Sequence, residues 1–181
     1  MADTTLDRAA FWPAPAAPGS FRAEIDGLVV RDLPDLPQAL VSGDLDAFLA
    51  AEGLAPAVGL LGVAQGDRYA VRLARRRLLA VGLEPAAGWN PGGWGVTPVG
   101  AGLAVVGIEG PRWPGFVARA TPVDPGAASP SAALLLGDGL SAILTRHGRD
   151  DSLRLHVSRP LLPALHLWLA DVVTALGAGN G

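Results

Sequence analysis

From Gln38 onward, apolar and polar positions alternate in short runs that switch between a period of two and a helical period, which predicts a mixed α+β chain. QALV predicts a strand and SGDLDAFLAAEGL a helix. In that helix Ser42 or Asp44 can serve as the cap, Asp44 and Asp46 complement the N-terminal dipole, and Leu45, Phe48 and Leu49 share a face. Gly53 is placed to end it. AVGLLGVA predicts another strand, QGD a turn, and RYAVRLA and RRLLAVG two more strands. In RYAVRLA, Tyr69, Val71 and Leu73 alternate with polar positions in the manner of a half-buried strand.

The stretch EPAAGWNPGGWG interrupts all periodicity and predicts a loop joining two structural halves, although Trp89 and Trp94 need packing partners. A strand is expected at LAVVGIEG. A short helix opened by Pro111 follows, with Trp113, Phe116, Val117 and Ala120 on one face. After the turn-rich TPVDPGAASP come three strands, AALLLG, LSAILTRH and SLRLHVS, the last two joined as a hairpin by HGRDD. A closing helix runs from Pro160 to about Leu176. The repetition of strand, helix and strands suggests an α+β fold of two related ferredoxin-like halves. Residues 1–36 are rich in alanine and proline and predict an arm on the surface, with one extended segment at IDGLVV. Its aromatics Phe11, Trp12 and Phe21 suggest that it docks. The expected organisation is therefore an arm over 1–36, one domain over 37–177 and a frayed tail over 178–181.

Composition narrows the chemistry. Half of the 181 residues are hydrophobic, only 17% are charged and the net charge is −3, so no global field attracts nucleic acid or an anionic membrane. All fourteen basic residues are arginine, which excludes Schiff-base lysine chemistry and the lysine of a phosphate-binding loop. Without cysteine there is no thiol nucleophile or thiolate metal site. The N-terminus lacks the pattern of an export signal, and no uninterrupted apolar run reaches the roughly 18 residues that would span a bilayer. These features lead us to expect a cytoplasmic protein without a membrane segment.

Three features could carry function. His156 and His166 flank Arg159 in DSLRLHVSRPLLPALHLWLADVV, but strand alternation places His156 on the polar face with Arg154, while the helical stripe covers the other face. The sheet should then separate the imidazoles, which removes a shared metal. Arg154, His156 and Leu167, which lies opposite the helical stripe, could instead meet a neighbour. The arginine run Arg68, Arg72, Arg75, Arg76 and Arg77 reads as a charged hairpin edge, as a surface for an acidic protein partner, or as a site for an anionic ligand or RNA. Arg72 and Arg76 are its candidate interface residues, as is Trp12 in the arm. GAGLAVVG opens a strand rather than joining strand to helix, so it is no dinucleotide fingerprint. GDGLS lacks a serine-centred elbow. No catalytic or metal-binding set emerges.

ALVSGDLDAFLAAEGLAP, RYAVRLARRRLLAVG, VVGIEGPRWPGFVARATPVDP and SLRLHVSRPLLPALHLWL, in that order and over Ala39 to Val173, resemble the gamma subunit of heterotetrameric sarcosine oxidase and related N-methyl amine oxidoreductases. The resemblance implies a fold similar to the folate-binding domain of glycine-cleavage aminomethyltransferases. It also implies an accessory, non-catalytic role beside flavin-bearing alpha and beta subunits. FAD, FMN, NAD and tetrahydrofolate are implied for those partners, with no cofactor assigned to this chain. The implied reaction of the whole complex is oxidative demethylation of sarcosine or a related N-methyl amine. A free-standing folate-binding one-carbon transfer protein is the alternative, and an RNA-binding module centred on Arg68 to Arg77 is the third reading.

Overall fold

Alternation along the central strands sorts side chains into separate apolar layers, and a computed structural model shows where each layer lies. It describes residues 19–124, 126–127, 129–137 and 139–178. The strands are β1 (Arg22–Ile25), β2 (Leu28–Asp32), β3 (Gln38–Gly43), β4 (Val63–Ala64), β5 (Tyr69–Ala74), β6 (Arg77–Val81), β7 (Gly88–Asn90), β8 (Trp94–Pro98), β9 (Leu103–Glu109), β10 (Ala133–Leu136), β11 (Leu140–His147) and β12 (Arg149–Ser158). The helices are α1 (Leu45–Glu52), α2 (Trp113–Ala120) and α3 (Leu162–Ala178), the last entered through a 3-10 turn at Arg159–Leu161. The larger sheet has the order β1-β2-β9-β12-β11-β10, antiparallel throughout except that β4 pairs parallel with β11. The smaller, antiparallel sheet has the order β5-β6-β3-β8-β7.

Strand β6 shows how the layers arise. Leu78 and Ala80 pack with Leu45, Phe48 and Leu49 of α1, whereas Leu79 and Val81 point the other way and join Ile143 and Leu103 of the larger sheet. The far face of the larger sheet, with Leu153, Leu155 and Val157 of β12, is covered by Phe116 and Val117 of α2 and by Leu162, Leu165, Leu169, Val173 and Leu176 of α3. The order of layers is thus α1, smaller sheet, larger sheet, then α2 with α3. Each fully buried leucine or phenylalanine contributes about 1.5–3 kcal/mol relative to an exposed one, so the three apolar layers dominate the fold's stabilisation.

Local signals act as expected at α1. Asp44 accepts from the Ala47 amide at 3.0 Å, and Gly53 closes the helix in the left-handed region at φ 63°. Ser42, the other cap candidate, is a strand residue. Gly43 has φ 122°, and a Cβ there would run into the Gly93 carbonyl, so β3 and β8 approach closely only because this position is glycine.

Several expectations are corrected. AVGLLGVA is a strand only at Val63–Ala64, because Leu61 sits at φ 54° and breaks the run. Val58 and Leu60 instead make isolated bridges to Val71 and Ser129. RYAVRLA is covered on both faces, with Tyr69, Ala70 and Val71 all buried. The segment around Trp89 and Trp94 is not a loop but the β7–β8 hairpin. Its turn is held by Asn90, whose side-chain oxygen accepts from Gly92 N at 2.7 Å and whose carbonyl accepts from Gly93 N at 3.0 Å. The supposed arm contains the β1–β2 hairpin, turned at Asp26–Gly27 and paired with β9, with Leu28 and Val30 in the core. An N-terminal hairpin thereby joins the sheet built mainly by the second half of the chain. Phe11 and Trp12 lie outside the described residues.

One property of the closing helix also differs from expectation. Arg159–Ala178 has a mean hydropathy of 1.6 and is long and apolar enough, by length and composition, to cross a membrane. In this fold its apolar stripe covers the larger sheet.

Candidate functional site

The polar face of β12 turns inward, toward the smaller sheet. His156 is 1% exposed and donates from Nδ1 to Gln38 Oε1 of β3 at 2.7 Å. Burial, followed by the positive charge of Arg154 and the proximity of His147, lowers its pKa to about 3, so the ring is neutral at neutral pH. With Nδ1 as the donor, Nε2 is an acceptor, and it has no partner. The hydroxyl of Thr145, two residue pairs along the β11–β12 ladder and opposite Arg154, is likewise buried and has no hydrogen-bond partner among the described residues. Two residues before His156, Arg154 donates to the Tyr69 hydroxyl at 3.1 Å, and its guanidinium lies 5.5 Å from that ring's centroid. Burial raises the Tyr69 pKa against the opposing effect of Arg154. His147 donates through Nε2 to the Gly66 carbonyl at 2.9 Å and packs against Tyr69, with burial lowering its pKa.

This chain of polar contacts ties β12 and β11 to β3, β5 and the β4–β5 turn. Its chemistry is that of a structural fastener between sheets, since each contact bridges two elements and none is offered to solvent at His156. The expectation that His156 faces a neighbour is corrected accordingly: its side chain is buried between the larger and the smaller sheet, while Arg154 on the same side of β12 is half-buried against Tyr69. Gln38 is the member sequence reasoning missed. It sits 118 positions from His156, and nothing local marks it.

His166 lies on the opposite side of the larger sheet, on α3. Its Nε2 donates to Asp32 Oδ1 at 2.8 Å and its ring stacks on Phe21 at 4.4 Å, nearly parallel. It clamps the N-terminal hairpin to the closing helix. The sheet separates the two imidazoles. No group of three or more metal-ligating side chains occurs among the described residues.

The remaining candidates are at the surface. Leu167 is 74% exposed on the outer side of α3. Arg68 pairs with Glu52 at 3.3 Å, whereas Arg72 donates only to the Arg75 carbonyl and Arg77 only to Ser42 Oγ. Among the described residues, no ion pair neutralises Arg72, Arg75, Arg76 or Arg77. A cavity of about 560 Å³ beside them is lined by Arg72, Arg75, Gly59 and Ser131. Of the two tryptophans in the β7–β8 hairpin, Trp94 packs edge-on against Phe48, with ring centroids 6.1 Å apart, and Trp89 is 72% exposed. A second cavity, of about 490 Å³, lies on the inner face of β10–β12 next to His156. Leu103, Leu135 and Ile143 line it.

No family model and no curated protein matches this chain. Among solved structures, it is similar to a chain of the heterotetrameric sarcosine oxidase from Corynebacterium sp. U-96, solved in complex with pyrrole 2-carboxylate. The TM-score is 0.68 at 18% identity, over 86% of this chain and 89% of that one. The two share a fold over nearly their whole lengths.

Proposed function

We propose that this chain is an accessory subunit of a sarcosine-oxidase-type flavoenzyme complex, packing on flavin-bearing alpha and beta subunits and stabilising their assembly without supplying catalytic groups. The observation that carries the reading is the fold shared with a chain of a heterotetrameric sarcosine oxidase over 86% of this chain. In this reading, the fold is that of folate-binding domains of aminomethyltransferases, used here as a scaffold, and the protein works in the cytoplasm. The two histidines that first suggest chemistry are both engaged in holding elements together. The assembled complex would oxidatively demethylate sarcosine or a related N-methyl amine, with FAD, FMN, NAD and tetrahydrofolate bound by the larger subunits.

The test is co-expression of the full chain with the flavoprotein subunits encoded beside it, followed by purification through a tag on this chain. The expected result is a stoichiometric, yellow complex with amine-dependent reductase activity. A stable, colourless monomer that never associates with a flavoprotein overturns the reading.

A further inference from the structure

The smaller sheet extends beyond the part of its inner face that the larger sheet covers, and the register identifies what is left bare. Arg77 pairs with Ser42, Ser42 with Gly95, and Gly95 with Trp89, so these four residues form one row across β6, β3, β8 and β7. Side chains two residues apart on a strand share a face. Leu79, two positions after Arg77, and Leu40, two before Ser42, form the neighbouring row on the same side and belong to the inter-sheet layer. The row therefore continues the inner face outward. Arg77 is exposed and Trp89 is 72% exposed, whereas Leu79 is fully buried. Across three strand spacings, Arg77 and Trp89 stand roughly 14 Å apart.

The chemistry of this end is specific. Trp89 lies over Gly95, where even a Cβ would meet its ring at 3.4 Å, so the indole is held against the strand with its other face open. At the other end of the row the β5–β6 turn presents Arg75, Arg76 and Arg77, with Arg72 nearby, none of them in an ion pair among the described residues. Six other arginines differ: Arg22, Arg31, Arg68, Arg146, Arg149 and Arg159 each have a carboxylate within 4 Å. Asp44, at the same end of the sheet, is occupied in capping α1. Tryptophan and arginine are the residue types that most often dominate the energy of protein interfaces. Five of the fourteen arginines, Arg68, Arg72, Arg75, Arg76 and Arg77, fall within ten residues of a chain whose net charge is −3, a local patch rather than a basic track that follows a nucleic-acid backbone.

We infer that the Arg77–Ser42–Gly95–Trp89 row and the adjoining arginine turn form a docking surface for a partner polypeptide that presents carboxylates beside an apolar side chain. The inference rests on the proposed role as a subunit and assigns the surface through which this chain binds. The carboxylates neutralise Arg75, Arg76 and Arg77, and the apolar group covers the open face of Trp89.

Hydrogen exchange on the co-purified complex is expected to show protection at residues 74–77 and 88–95. Trp89→Ala and the triple variant Arg75→Glu/Arg76→Glu/Arg77→Glu should each weaken the complex by at least about 30-fold, the loss typical of an interface hot spot, while Arg119→Ala, at an exposed arginine of α2, leaves it unchanged. Unaltered melting of the free variants verifies that they fold. If the complex forms but protection lies elsewhere and both variants assemble like the wild type, the surface is wrong and the subunit role stands. If no complex forms, the subunit role fails, and a titration of the isolated full chain with a synthetic glutamate–leucine peptide decides the surface. Saturable binding that weakens with salt and is lost in the triple variant supports it. No binding, or preferential binding of a single-stranded RNA oligonucleotide, overturns it.

Discussion

His156 makes the stability of this fold depend on acid in a way that can be isolated. Its pKa is about 3 in the folded chain and 6.5 as a free side chain. Above pH 6.5 the ring is neutral in both states and adds no pH dependence. Between 6.5 and 3 the unfolded chain takes up a proton that the folded chain refuses, so stability falls as pH falls, by about 1.4 kcal/mol per pH unit. From pH 6.5 to 4.5 the loss is roughly 3 kcal/mol. For a fold of this size that corresponds to a drop of roughly 8 °C in melting temperature. The perturbation is the double variant Gln38→Leu/His156→Leu, which removes donor and acceptor together and leaves no orphaned partner; either single change strands one buried polar group, at about 1–3 kcal/mol. Urea melts of wild type and double variant at pH 7, 5.5 and 4.5 give the difference directly. Groups that the two proteins share enter both curves, so the difference between them isolates the imidazole. Arg154, on the same side of the same strand, is present in both proteins. The wild type is expected to lose roughly 3 kcal/mol more than the variant by pH 4.5. Parallel curves would show that the imidazole is not held neutral between the sheets, and the argument would fail.

Three further outcomes follow from the packing. Leu28→Ala should destabilise the protein by about 2–5 kcal/mol in denaturant melts, because the N-terminal hairpin contributes to the main core; a loss below 0.5 kcal/mol, roughly what a surface arm would give, would contradict this. Phe48→Ala, which empties the layer between α1 and the smaller sheet and removes the edge contact to Trp94, should lose about 3–5 kcal/mol and shift tryptophan fluorescence. Thr145→Val replaces a buried hydroxyl without a protein partner by a methyl of similar shape, so thermal melting should stay level or rise by about 1 kcal/mol. A clear loss would contradict the reading that the hydroxyl is buried without a compensating hydrogen bond.

Much of the local structure was readable because its causes are local. Asp44 and Gly53 bracket α1, short apolar-rich runs between turn signals mark β5, β6, β11 and β12, and Pro160 opens the approach to α3. The separation of His156 from His166 also followed from periodicity alone. The hairpin in the presumed arm was missed although Asp26–Gly27 is a strong two-residue turn signal, because the prolines on both sides suggested an extended arm lying on the surface. The break in AVGLLGVA could not be read, since it depends on a left-handed Leu61 imposed by bridges to residues far along the chain.

By itself the sequence determined the mixed α+β class, the positions of most elements and the clustering of arginines around one turn, since period, caps and charge are properties of neighbouring residues. Only the tertiary structure decided which polar face is interior. Alternation shows that Arg154 and His156 share a side of β12, but it cannot tell water from a second sheet. That distinction is made by Gln38 and Tyr69, 118 and 85 positions away, which come within hydrogen-bonding distance only when the two sheets stack. The same stacking leaves Trp89 and the arginine turn beyond the covered face, where a partner can reach them.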